Sequence, residues 1–187
     1  ARQFWYLSDG GHFENCALYE LVRRRVPLIV CCDCGADPDY EFEDVANLVR
    51  KARIDFGAEV TFWTRETLGE ELTAHLQTER LKTHGRPAAK EVAPDEWKHH
   101  YAGLAKSVGP LDQLAAATKG ADKGISKRNV ALAWVRYADG TKSLLVVIKP
   151  TLTDDVPADL LNYDATNSAF PQQTTLDQFF DQAQWES

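Results

Sequence analysis

The order of elements along this chain predicts an α/β protein built on an open sheet. Three observations predict it. Over residues 4–63, short apolar runs alternate with stretches whose apolar residues fall on one helical face. One run, Leu28–Asp33, is apolar at consecutive positions and bounded by Pro27 and Gly35, as expected of a parallel strand buried on both faces. Asp139-Gly140 stands between two further apolar runs, a strong hairpin signal.

Phe4-Trp5-Tyr6-Leu7 reads as the first strand, ending at Ser8-Asp9-Gly10-Gly11. A helix is expected from about Asn15 to Arg25, with Leu18, Leu21 and Val22 on one face. Arg23, Arg24 and Arg25 suit its negative dipole end. The Leu28–Asp33 strand follows. The next helix, Phe42 to Phe56, shows Val45, Leu48, Val49, Ala52 and Phe56 on one stripe. Glu41, Glu43 and Asp44 charge its start favourably, and Gly57 ends it. Glu59–Trp63 is a short strand, completing β-α-β-α-β.

Residues Thr64 to Arg128 are polar, with scattered Gly and Pro and weak helical stretches at Glu70–Leu76 and Glu96–Ala105. They read as an excursion over the surface. Regular structure resumes at Asn129. Val130–Tyr137 and Ser143–Ile148 form the hairpin, and helices are expected at Pro157–Tyr163 and Thr174–Trp185 with Phe170-Pro171 between. No internal repeat is visible. The expected domain is 1–187, with its core in 4–63 and 129–187.

The chain has 187 residues and a mass of 21.0 kDa, within the range of one domain. With 44% apolar residues, disorder throughout is excluded. A net charge of −7 argues against nucleic acid as a partner, since phosphate contacts need a basic footprint. There is no methionine, the first apolar run begins at Phe4, and the last helix carries no exit signal. These features read as a piece of a longer chain.

Cys16, Cys31, Cys32 and Cys34 match no zinc spacing. On a strand, the last three alternate faces and cannot converge on one ion. They read as reduced thiols, which places the chain on the cytoplasmic, reducing side of a membrane. The longest apolar runs are too short to span a bilayer.

Asp9 is the leading catalytic candidate. It falls where a strand ends, and Gly10-Gly11 lets the backbone turn close to a ligand. Open α/β sheets collect their sites at the carboxyl ends of strands. His12, Asn15 and Asp33 are the further candidates to line a cleft there. Asp33 reads mainly as a structural residue at the end of its strand.

The run Leu7-Ser8-Asp9-Gly10-Gly11-His12-Phe13-Glu14-Asn15, followed by Leu28-Ile29-Val30-Cys31-Cys32-Asp33-Cys34-Gly35-Ala36-Asp37-Pro38, resembles the C-terminal part of the patatin and cytosolic phospholipase A2 catalytic domain. The stretch from Lys149-Pro150-Thr151 through Phe170-Pro171 to Gln184-Trp185-Glu186 is similar to the tail of large bacterial patatin-like proteins. The resemblance covers Phe4–Trp63 and Asn129 to the end. It implies a three-layer α/β/α fold with an added hairpin and C-terminal helices. It also implies a Ser-Asp dyad in which Asp9 acts on an upstream serine, and a lipid acyl ester as substrate. No metal or organic cofactor is implied. The family's G-x-S-x-G elbow and Gly-rich oxyanion loop do not occur in this chain. The resemblance therefore implies half a site, an isolated chain without activity, and a missing N-terminal part as partner. The parent could also meet a membrane surface.

Other groupings lead elsewhere. His12 and Cys16, four apart, would form a thiol–imidazole pair if the first helix began early. Asp37, Asp39, Glu41 and Glu43 alternate like a calcium loop. Phe42 and Leu48 occupy the positions that need Gly and Glu, so helix capping explains these acids better. Arg23–Arg25 could meet lipid phosphate, or simply end a solvated helix. His99-His100, flanked by Trp97 and Tyr101, reads as surface or partner contact. The alternatives to the hydrolase are a non-catalytic α/β interaction or regulatory module and, third, a Cys16/His12 thiol enzyme.

Overall fold

The structure is a computed structural model that describes residues 10–68, 106–120 and 123–174. Among these residues the chain is mixed α/β, with three α-helices and a five-stranded mixed sheet. In chain order the elements are α1 (Leu18–Arg23), β1 (Leu28–Cys32), α2 (Glu43–Phe56), β2 (Glu59–Phe62), β3 (Val108–Gly109), a 3-10 turn (Leu111–Leu114), β4 (Val130–Arg136), β5 (Lys142–Ile148) and α3 (Ala158–Thr166). The strand expected at Phe4–Leu7, the helices at Glu70–Leu76 and Glu96–Ala105, and most of Thr174–Trp185 lie outside the described residues.

The strand order is β1-β5-β4-β2, with β3 also paired to β4. β1 runs parallel to β5, from Leu28 opposite Leu144 to Cys32 opposite Ile148. The hairpin β4–β5 is antiparallel, and β2 is antiparallel to β4. β1 and β2 therefore point the same way, as a strand–helix–strand unit requires, but the hairpin is inserted between them. This corrects the simple β-α-β-α-β order. The two strands joined by α2 are not neighbours, and the strand that completes their pairing comes from the other end of the chain.

Strand alternation divides the core. Toward α1 and α2 the sheet presents Ile29, Cys31, Ala133, Val135, Leu145 and Val147, which meet Leu18, Val22, Val45, Leu48 and Ala52. The opposite face gathers Trp63, Val108, Leu132, Trp134 and Leu144, with the two indole rings 5.6 Å apart. β1 is not buried on both faces as expected. Leu28 is 55% and Val30 50% exposed, because they alternate to the face of β1 away from α1 and α2, which nothing among the described residues covers.

The first helix is also shorter than expected. Ala17 takes a left-handed conformation, so α1 starts at Leu18 rather than Asn15. The buried Glu14 carboxylate accepts the Cys16 and Tyr19 N–H groups at 2.9 and 3.1 Å and fixes that entry. The excursion closes earlier than Arg128 as well. β3 and the fully buried Leu114 are already built into the fold. The other boundaries fall close to those expected: α2 ends at Gly57, and the hairpin turns through Asp139-Gly140. No helix among the described residues is long and apolar enough to cross a membrane.

Leu48 sits at the centre of the α1–α2–sheet contact with no exposed surface. Leu48→Ala is expected to lower unfolding free energy by about 2–5 kcal/mol in urea titration, the usual cost of a buried Leu truncation.

Candidate functional site

The carboxyl ends of β1 and β5 lie side by side, and polar chemistry collects there. β1 runs into Asp33 and β5 into Lys149. The Lys149 ammonium is fully buried, 3.2 Å from an oxygen of Asp33 and 3.2 Å from an oxygen of Asp37. Such a group is tolerated only when paired, and here two carboxylates share it. Asp37 also accepts the Glu41 and Phe42 N–H groups at 2.8 and 3.1 Å. It thus holds the strap that climbs from β1 to α2. Gln172 closes the assembly, accepting from the Asp37 N–H and donating to the Pro150 carbonyl.

The turn after Asp9 packs beside this strap. Gly10 has φ +90°, a conformation that side chains with a Cβ rarely adopt, and its carbonyl accepts from Phe13 and Glu14. The Asn15 amide donates to Asp44 at 3.0 Å, and the Asn47 amide donates to the Phe13 carbonyl at 3.0 Å. Both contacts pin the turn to the first half of α2. Gly35 is needed for close approach. A Cβ there would lie 3.1 Å from Asp44 Oδ2 and 3.5 Å from Asp33 Oδ1.

A hollow of about 320 Å³ opens on this end, lined by Asn15 and Gly35 and by the acids Asp33, Asp37, Asp39, Glu41, Glu43 and Asp44. Cys16, Asp33 and Asp44 each bring one ligand atom within 4.8 Å of the others. Each of these groups already has a partner: Cys31 for Cys16, Lys149 for Asp33 and Asn15 for Asp44.

Of the sequence candidates, the structure gathers Asn15 and Asp33 at one end of the sheet, with Gly10 and Gly11 in the turn leading to them. Asp33 is 2% exposed and ion-paired, in keeping with a structural role. Asp9 lies outside the described residues, as do Trp97, His99, His100 and Tyr101. His12 is exposed and does not share a helix with Cys16, since both precede α1. The helical spacing that would have paired them is absent. Cys16 instead meets the Cys31 thiol, whose pKa this contact and burial push far up. Burial likewise raises Cys34, first among its causes. The alternating acids are not a loop around an ion: Asp37 caps the strap and pairs with Lys149.

Lys149 is the residue that sequence reasoning did not single out. Its signal was a lysine closing the apolar run Leu144–Ile148, where a buried strand end needs a reason for a charge. Comparison with known protein families, with curated proteins and with solved structures found no match.

Lys149→Met would leave Asp33 and Asp37 without their cation. The expected loss is about 3–5 kcal/mol of unfolding free energy, as for other buried pairs broken from one side. The triple variant with Asp33→Asn and Asp37→Asn should recover a large part of it. Equal denaturation curves for the single variant and the parent would show that the buried pair contributes nothing.

Proposed function

We propose that the chain is the C-terminal portion of a patatin-like lipid acyl hydrolase, supplying the aspartate of a Ser-Asp dyad. One observation carries this proposal. The two segments that hold the resemblance, Leu7–Asn15 and Leu28–Pro38, are separate in sequence. Their described parts meet at one end of the sheet, where Asn15 of the first and Asp33, Gly35 and Asp37 of the second line one hollow. The strand-end position is where an α/β sheet places its chemistry.

In this reading Asp9 acts on a serine Oγ supplied from outside the chain, with no histidine between. It takes the hydroxyl proton as the oxygen attacks the ester carbonyl, and returns it to the alcohol that leaves as the tetrahedral adduct collapses to an acyl-serine; water then attacks that ester, releasing the free acid and restoring the serine hydroxyl. A carboxylate of ordinary pKa, about 3.9, is a weak base at neutrality. Rate must then come largely from positioning and from oxyanion donors. The contacts of Asn15 to Asp44 and of Asn47 to the Phe13 carbonyl supply the first of these, holding the turn that leads back to Asp9. The acid-lined hollow braces that turn. Apart from Ala36 and Pro38 its lining offers an acyl chain little to bury against.

In the parent protein that carries the serine, Asp9→Asn should lower kcat for a short-chain ester by about 10²–10⁴-fold, the usual contribution of a general base. The circular dichroism spectrum should not change. Near-normal turnover would remove Asp9 from the mechanism and favour the non-catalytic module. Hydrolysis by the 187-residue chain alone, lost on replacing Asp9, would refute the half-site. Rapid, selective alkylation of Cys16 at neutral pH would instead favour the thiol enzyme.

A further inference from the structure

The helical layer of this acidic chain gathers exposed cations around exposed apolar side chains. Arg23, Arg24 and Arg25 are exposed at the end of α1, and Arg50 and Arg53 are exposed on α2 with Lys51 between them. Among these cations stand two large exposed apolar side chains, Phe13 at 47% and Ile54 at 66%.

These residues form one continuous flank. The Lys51 ammonium lies 3.4 Å from the centre of the Phe13 ring. Phe13 meets Tyr19 edge-on at 4.8 Å, and the Tyr19 hydroxyl donates to Asp55 at 3.0 Å. Ile54 follows Lys51 by three residues and Arg50 by four, which puts all three on one side of α2. Two acids on this flank pair with its arginines, and a third, Asp55, takes only the Tyr19 hydroxyl. Glu20 accepts from Arg23 and Arg24, whose guanidinium groups hold its carboxyl down to about 2, and Asp139 pairs with Arg25. Arg50, Lys51 and Arg53 form no ion pair among the described residues.

We propose that this flank docks on an anionic lipid bilayer. The uncompensated cations would meet lipid phosphates, while Phe13 and Ile54 enter the interfacial layer between them. The acid-lined hollow would oppose approach from its own side. The choice of a bilayer also rests on the lipid-hydrolase reading. Phe13 is four residues from Asp9, so docking here brings the candidate turn to the rim of the interface.

The test is co-sedimentation of the full chain with vesicles of ether-linked lipids, which cannot be hydrolysed at an ester. Binding is compared between neutral phosphatidylcholine and the same lipid with about 30% phosphatidylglycerol, in about 0.1 M salt. Anionic vesicles should be bound at least about tenfold more tightly, and the double variant Arg50→Glu/Arg53→Glu should remove that gain. Ile54→Ser should weaken binding without a charge change. The pair Lys119→Glu/Lys123→Glu, with the same charge change elsewhere, should leave it intact. Thermal melts check that each variant folds. Equal binding to both vesicle types would overturn the proposal, as would equal loss from the control pair. Indifference to Ile54→Ser, together with equal retention on immobilised polyglutamate, would assign the flank to an acidic protein instead. None of these readouts needs turnover, so a failure here leaves the hydrolase proposal standing, and the two failures are told apart by which experiment gives them.

Discussion

A single buried ammonium between two carboxylates organises one end of the molecule. Lys149 joins the end of β5 to Asp33 at the end of β1 and to Asp37 in the strap before α2. The backbone around it is closed by the same residues: the Asp33 N–H donates to Ile148 and the Lys149 N–H to Asn129, both at 2.9 Å. Slipping β1 against β5 by one residue would turn Asp33 to the other face and strand a charge in the core. The ion pair therefore enforces register as well as position. The turn behind Asp9, the strap and the sheet all take their places relative to that contact.

The charges are also segregated. Acids crowd the carboxyl end of the sheet, while uncompensated cations line the flank of α2 away from it. Composition reports only the sum, −7, and so hides a molecule with two unlike surfaces. A lipid headgroup would be repelled by the first and held by the second. Under the proposed lipid-hydrolase function these two surfaces would have different work: one would hold the candidate turn, the other would orient the domain.

What could be read in the sequence was local. The α2 stripe, its stop at Gly57 and the Asp139-Gly140 turn each depend on residues a few positions apart, and their boundaries came out close to those found. What escaped was set by partners distant in the chain. Leu28 and Val30 look like core residues in sequence, yet stand on a side of β1 that nothing among the described residues covers. The insertion of the hairpin between β1 and β2 follows from pairing, which periodicity does not encode. The start of α1 was misplaced because a buried Glu14 and a left-handed Ala17 override the helical spacing of the residues around them. Lys149 passed unnoticed because its meaning depends on Asp33, 116 positions away. Asn15 and Asp33 were recognisable as candidates for one cleft, and both line the hollow, whereas His12 is not in its lining.

The inserted hairpin also sets a timetable. β1 leaves the ribosome long before β5, the strand against which it pairs, and Asp33 must wait 116 residues for its lysine. At typical synthesis speeds of 5–20 residues per second, that is roughly 6–23 s during which β1 lacks its one partner strand among the described residues. The helices can coil at once, but the sheet cannot close until its last strand arrives. A nascent chain of this design has to be shielded over that interval, and its tendency to aggregate should be greatest in products that stop short of Lys149.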